Sequence, residues 1–261
     1  IGGFFSNLFG RGRKSDHEKS DGATSSAANG ANSGASTPQS PSPDVAPAAY
    51  GNGDHSEMDY DSVSNQVAQL PEGGQCGLIN LGNTCFMAAA LQALLHAEVF
   101  VNYFLSGTYK KEINKKNPLG QKGDLANAFA NLVKEIWHAS AMSCTSPKQV
   151  KHVIGRFAPQ FSGFQQQDAQ ELLAYLLDGI HEDLNRVESK PYVDTDVKNA
   201  GQKDDAELAA IFWNFHTMRN RSVVVDLYHG QLKSTLVCPQ DGGCSNVSVT
   251  FDPFAYLSVP F

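Results

Sequence analysis

The chain contains no apolar run long enough to cross a bilayer and no secretion-type hydrophobic segment near its start, so neither membrane insertion nor export is expected. Positive charge is also scarce. With 20 Lys and Arg against 27 Asp and Glu the net charge is −7, which argues against nucleic acid as a partner. The five cysteines, Cys76, Cys85, Cys144, Cys238 and Cys244, are scattered and odd in number. Without a secretory context they point to a reducing compartment, cytoplasmic or nuclear, and to thiol or metal chemistry rather than a disulfide framework. Large apolar side chains are almost missing between Ser15 and Gln69, where the chain is Ser, Ala, Gly, Asn, Asp and Pro. Such a stretch cannot offset the entropy of ordering, so residues 1–70 are expected to be a disordered linker or tail, and residues 71–261 the folded part. Within it, Ser36-Thr37-Pro38-Gln39-Ser40-Pro41-Ser42-Pro43 has the pattern of proline-directed phosphorylation. The first residue is Ile1 rather than Met, and the expectation is a piece of a longer chain.

What is present is organised around Gly77-Leu78-Ile79-Asn80-Leu81-Gly82-Asn83-Thr84-Cys85-Phe86-Met87, a glycine- and asparagine-rich loop that ends on a cysteine where a helical pattern begins. A thiol there faces unpaired backbone N–H groups and the positive end of the helix dipole, both of which favour the nucleophilic thiolate. Cys85 as a small buried hydrophobe remains the other reading. His96 lies about three turns along the same helix, too far to serve as its base. Helices are expected over about 84–96, 123–139, 168–187 and 205–216, from the helical spacing of Met87, Leu91, Leu94 and Leu95, of Leu125, Phe129, Leu132 and Ile136, and of Leu172, Leu176, Ile180 and Leu184. Ser146-Pro147-Lys148-Gln149 announces a further short helix, with Ser146 as its cap. Asp168 and Glu171 stand at capping-box spacing at the head of the helix expected over 168–187, and His181, beside Glu182 and Asp183, is expected on a solvated face.

The period then changes. Ser222 to Tyr228, Gly230 to Val237 and Val247 to Phe251 are rich in β-branched residues and read as strands. The last two flank Cys238-Pro239-Gln240-Asp241-Gly242-Gly243-Cys244, a turn with a thiol at each end: half of a tetrahedral zinc site, or a bare turn. The exposed strand edges of such an incomplete core predict poor solubility for the chain alone.

Several of these stretches, in this order, resemble the ubiquitin-specific proteases. Gly77 to Leu94 resembles their cysteine box, Gln166 to Arg186 their QQDxxE helix, and Gly230 to Phe261 the segment where their finger subdomain begins. Asn117-Pro118-Leu119-Gly120, Gly155 to Phe161 and Val249 to Phe254 are similar to the large members whose catalytic domain is split by an insertion. The resemblance implies an α+β, papain-like fold over residues 71–261, with a helical thumb at about 71–220 and the first antiparallel strands of the fingers at about 221–261. It implies a thiol protease that hydrolyses the peptide or isopeptide bond at the C-terminal glycine of ubiquitin through an acyl-thioester on Cys85, with Asn80 as the side-chain donor of the oxyanion hole. Asp168, Glu171 and Gln167 would contact the substrate tail, and Cys238 and Cys244 would be the first pair of structural zinc ligands, no cofactor being needed for the chemistry. Ubiquitin and ubiquitinated proteins would be the partners, with neither nucleic acid nor membrane.

Three departures stand out. Ala88 and Ala89 occupy positions where the family has polar residues, and five residues rather than two separate Cys238 from Cys244. The catalytic histidine and its Asp or Asn orienter belong to a later segment of the family, and none of the eight histidines lies in that motif. The chain by itself is therefore expected to be inactive, and a non-catalytic ubiquitin-binding protein and a zinc-dependent interaction module are the rival readings.

Overall fold

A computed structural model describes residues 72–138, 144–195, 197, 203–238 and 247–259. The linker at 1–70, its Ser-Pro run and Cys244 lie outside them. The elements are β1 (Gly77–Leu78), α1 (Cys85–Leu95), α2 (Glu98–Leu105), α3 (Tyr109–Glu112), α4 (Asp124–Trp137), β2 (Cys144–Thr145), α5 (Lys148–Phe157), a 3-10 turn (Pro159–Phe161), α6 (Ala169–Asp183), α7 (Asp205–Thr217), α8 (Val223–Tyr228), β3 (Gly230–Val237) and β4 (Val247–Phe254). This is the α+β class that the sequence implies, helices first and an antiparallel pair after them. Among the described residues no single helix is long and apolar enough to cross a membrane.

The apolar faces read from the sequence are the buried ones. Met87, Leu91 and Leu95 of α1, Leu125, Phe129 and Ile136 of α4, and Leu172, Leu176 and Ile180 of α6 share one core, with α1 and α4 both packed on α6. At about 25 cal/mol per Å² of apolar area, each fully buried Leu or Phe contributes roughly 1.5–3 kcal/mol. An aromatic cluster fills the space between α2 and α4: Phe100, Phe104 and Phe129 have centroids 5.1–5.5 Å apart, and Tyr228 closes edge-on over Phe100 at 5.4 Å.

Tyr228 belongs to the clearest departure from the sequence reading. Residues 223–228 form a helix, not a strand. Ser222, fully buried, accepts from the N–H of Val224 and Val225, and Val223, Val224 and Val225 are all buried. β-branched residues lose only a few tenths of a kcal/mol in a helix, which burial of three of them outweighs. The helix expected from Ser146 begins at Lys148 instead. Pro147 holds the cap position without a side-chain bond, and the buried Ser146 hydroxyl has no partner among the described residues.

Helix α6 ends at Asp183, about a turn earlier than its apolar stripe suggests, because its last residues form a buried polar junction. Asp183, fully buried, accepts from the N–H of Gln121 (2.5 Å), Gly123 (3.1 Å), Leu125 (3.0 Å) and Ala126 (3.1 Å), and so caps α4 from another element. Glu182 accepts from Lys190 at 2.8 Å and from the Asn117 amide at 2.6 Å. His181 is only 3% exposed, against the solvated face expected of it, and bonds the Ser222 hydroxyl at 2.8 Å.

The hairpin β3–β4 pairs in register from Gly230↔Phe254 to Val237↔Val247. It rests on α7 through Phe251, whose ring lies 6.4 Å from that of Phe212, and through the Lys233–Asp205 ion pair at 2.5 Å. Among the described residues no third strand joins this pair, and Leu236, Val237 and Val247 are exposed at its far end.

Candidate active site

The loop before Cys85 is held at its start by the two-residue parallel pair β1–β2, with the N–H of Ile79 donating to the Thr145 carbonyl at 2.9 Å. It then turns on Gly82 (φ +100°) and Asn83 (φ +52°), successive left-handed residues. Thr84, 2% exposed, ties the turn to itself: its hydroxyl accepts from the Leu81 N–H at 2.9 Å and donates to Asn80 Oδ1 at 3.2 Å. Asn80 Oδ1 also accepts from the N–H groups of Gly82 (3.0 Å) and Thr84 (3.1 Å). Because those two donors are backbone N–H groups, the side chain must present its oxygen to them. Its Nδ2 is thereby fixed as the outer group, and it has no partner among the described residues.

Cys85 is the first residue of α1 and is exposed, not the buried hydrophobe of the alternative reading. Phe86 and Met87 turn into the core directly behind it, so the thiol is presented by a rigid element. Its hydrogen-bond partner is Gln166 Oε1 at 3.4 Å, 81 residues away in sequence. The Asn83 amide donates to the Phe164 carbonyl at 2.9 Å. A Cβ on Gly82 would come within 2.9 Å of the Phe164 ring, so this close approach requires glycine. The two informative stretches of the sequence thus meet at the thiol.

Asp168, Glu171 and Gln167 lie at the mouth of the helix that follows. Asp168 Oδ1 caps α6, accepting from Gln170 N–H at 2.7 Å and Glu171 N–H at 3.1 Å, which leaves Oδ2 available. Glu171 does not return the bond of a capping box; its half-buried carboxylate has no partner among the described residues. Gln167 donates to the Gln160 carbonyl at 3.1 Å. Gln166, absent from the candidates read from sequence, is the glutamine that meets the thiol. The triplet Gln165-Gln166-Gln167 was visible, but nothing local says which member turns toward Cys85.

None of the six described histidines is bonded to Cys85. His96 bridges the carbonyls of Gln92 (2.8 Å) and Gly74 (3.0 Å). His181, His216 and His229 form a cluster where α6, α7 and the end of α8 meet, with His216 Nε2 3.2 Å from His229 Nδ1. Burial holds all three below the usual histidine range, His181 and His216 at about 4 and His229 at about 3. They are neutral, structural rings.

Cys238, half-buried, directly follows Val237, the last residue of β3. The described residues supply this one thiol there and no group of three or more metal ligands, so they do not by themselves build a zinc site.

Comparisons with known proteins bear on the family of the chain. A family model described as ubiquitin carboxyl-terminal hydrolase matches residues 76–253. Ubiquitin carboxyl-terminal hydrolase 4 of Bos taurus is 55% identical over 187 residues, which cover 72% of this chain and 19% of that protein. Ubiquitin carboxyl-terminal hydrolase 15 of Homo sapiens is 48% identical over 212 residues, 81% of this chain and 20% of that protein. The chain thus spans about a fifth of the length of these relatives. Among solved structures, a SAGA DUB module bound to monoubiquitin is similar at 25% identity and a TM-score of 0.45, covering 70% of this chain and 34% of that one. With the family model spanning 178 of 261 residues, more than half of the sequence, the chain belongs to the ubiquitin carboxyl-terminal hydrolase family.

Proposed function

We propose that the full-length protein is a deubiquitinating thiol protease that hydrolyses the peptide or isopeptide bond at the C-terminal glycine of ubiquitin, with Cys85 as nucleophile and Asn80 as oxyanion donor. The observation that carries this reading is the self-bonded turn 80–84, which spends Asn80 Oδ1 on the turn's own N–H and hydroxyl groups and leaves Nδ2 without a partner among the described residues, five residues before an exposed thiol at a helix start. The thiolate attacks the glycine carbonyl carbon, and the resulting oxyanion is met by Asn80 Nδ2–H and the free N–H groups at the start of α1. Collapse expels the amine and leaves a thioester, which water cleaves to the carboxylate. The proton transfers need a base and acid that no described histidine supplies.

The free oxygen of Asp168 and the unpartnered Glu171 carboxylate suit a cationic substrate tail approaching the cleft, with Gln167 beside them. Capping and recognition are compatible because Asp168 spends one oxygen on each. Helices α1 to α7 correspond to the thumb at about 71–220, and the segment from about 221, with β3–β4 as its first strands, to the start of the fingers. The location proposed is cytoplasm or nucleus, and Cys238 and Cys244 are proposed as the first pair of ligands of a structural zinc site whose other two thiolates come from elsewhere. Zinc measured in the purified full-length protein and lost in Cys238→Ser checks that assignment; no zinc in either would refute it.

The activity is tested by turnover of a ubiquitin C-terminal fluorogenic amide. The full-length protein should hydrolyse it, Cys85→Ala should abolish hydrolysis, and the chain of 261 residues alone should be inactive or nearly so. The rival reading, a non-catalytic ubiquitin binder, draws on Ala88 and Ala89, the first half-buried and the second exposed, which remove polar groups beside the thiol. Binding of ubiquitin with no turnover by the full-length protein would favour it.

A further inference from the structure

Residues 162–168, which carry Gln166 to the thiol, form no helix or strand. Their place depends on side-chain ties from outside. Asn83 holds the Phe164 carbonyl, Cys85 meets Gln166, and Gln167 reaches back to Gln160. The largest group of ties comes from Lys151 on α5. Its ammonium donates to the carbonyls of Ser162 (2.7 Å), Gly163 (2.7 Å) and Phe161 (3.4 Å), and lies 5.4 Å from the centre of the exposed Phe164 ring. These carbonyls continue the C-terminal end of the 3-10 turn Pro159–Phe161, where a cation is favoured. Phe161 itself is buried between Phe86, next to Cys85, and Tyr175 of α6, at 6.2 and 5.5 Å. The segment therefore leaves a fixed point in the core and is held by one lysine as it turns towards the cleft.

We propose that Lys151 is a positioning residue for Cys85, its ammonium clamping the turn at 161–163 so that Gln166 reaches the thiol and Phe164 closes over Gly82. Most surface lysines keep their ammonium in water. This one directs its N–H groups to backbone carbonyls and forms no ion pair among the described residues. Its charge satisfies acceptors that the irregular segment cannot satisfy itself. The catalytic part of the inference rests on the reading of Cys85 as a nucleophile; the clamp does not.

The test compares Lys151→Met, Lys151→Gln and Lys151→Arg in the full-length protein. Loss of the clamp misplaces groups at the cleft without touching the substrate, so Lys151→Met and Lys151→Gln should lower kcat for the ubiquitin amide about 10- to 100-fold while KM stays within about twofold. Lys151→Arg, which keeps charge and donors, should recover most of the rate. Two readouts do not depend on ubiquitin. Iodoacetamide modification of Cys85, followed at its own peptide by mass spectrometry, should speed up several-fold in the Met and Gln variants, and chymotrypsin should cut after Phe164 faster, with melting temperatures near that of the unmodified protein. Unchanged kcat, alkylation and cleavage in both neutral variants would overturn the proposal, as would an arginine variant as impaired as the methionine one. Failure of the parent reading looks different: the unmodified protein itself would show no turnover, while alkylation and cleavage still reported on the clamp.

Discussion

Replacing Asn80 by Asp separates the two jobs that this side chain performs. Asp keeps an oxygen at Oδ1, so the bonds from Gly82 N–H, Thr84 N–H and the Thr84 hydroxyl survive at 3.0, 3.1 and 3.2 Å and the turn keeps its shape. What changes is the outer atom, where an N–H donor becomes an anionic oxygen facing the site of the developing oxyanion. Removal of one oxyanion donor costs about 10²–10³ in kcat, or roughly 2.7–4 kcal/mol, and the added like charge can only increase that. Asn80→Ala removes the donor and the scaffold together. It gives up three accepted hydrogen bonds worth about 1 kcal/mol each at most, partly replaced by water because the position is exposed.

The ordering expected follows from this division. Asn80→Asp should retain the melting temperature of the unmodified protein and lose at least 10² in kcat on the ubiquitin amide. Asn80→Ala should lose a similar rate and also melt lower, by an amount that reports the turn alone. The paired measurement is steady-state kcat and KM with a thermal melt on each variant. An aspartate variant within tenfold of normal kcat would refute the donor role, since the scaffold would then be the whole contribution of the residue. Equal melting temperatures for the alanine and unmodified proteins would refute the scaffold role.

Two further predictions concern stability. Asp183→Asn keeps the shape but turns an NH2 towards two of four backbone N–H donors in a fully buried site, so it should cost about 3–5 kcal/mol. Asp168→Ala, an exposed cap with two donors, should cost about 1 kcal/mol; urea unfolding followed by fluorescence, with buried Trp137 as one reporter, would show the difference, and similar costs for both would contradict it. The histidine cluster sets a pH dependence. Folded-state values of about 4, 4 and 3 for His181, His216 and His229 lie below the unfolded value, so the unfolded chain binds more protons and stability falls as pH drops through about 6.5 towards 4. Glu182 beside His181 favours its protonation and Lys190 opposes it, while Asp178, raised to about 6 by burial and by Glu182, stabilises in the opposite direction by one proton. Each ring taken alone gives a loss on the order of 2 kcal/mol between pH 7 and 5, and Asp178 returns on the order of 1, so the net expectation is a loss, seen as a falling urea midpoint that flattens in His216→Gln; a midpoint that does not move over that range would refute it.

The long helices were legible in the sequence because their apolar spacing is a local property that burial then uses. Where reading failed, the deciding partner lay far away. Val223-Val224-Val225 has strand composition, and the Ser222 cap that makes it a helix was present but weaker than three β-branched residues; what decided it was a core that could bury all three. His181-Glu182-Asp183 reads as a solvated run of charge. It is buried because Ser222, Lys190 and the head of α4 supply partners roughly 8 to 60 residues distant, and no periodicity carries that information.

The same distinction divides the cleft. Asn80, Thr84 and Cys85 lie within six residues, so turn chemistry and a helix start place them together before any tertiary contact forms. The opposite wall has no such local rule. Gln166 reaches Cys85 because Phe161 is anchored to Phe86 and Tyr175, because Gly82 leaves room for Phe164, and because Lys151 holds the turn between them. Chemistry on the first wall is therefore encoded in a short motif, whereas its alignment with the second depends on packing from α1, α5 and α6 at once. Substitutions in the motif should remove the reaction, and substitutions at the supports should misalign it. The kcat loss with unchanged KM expected of Lys151→Met, beside the abolished turnover of Cys85→Ala, is how that difference would be measured.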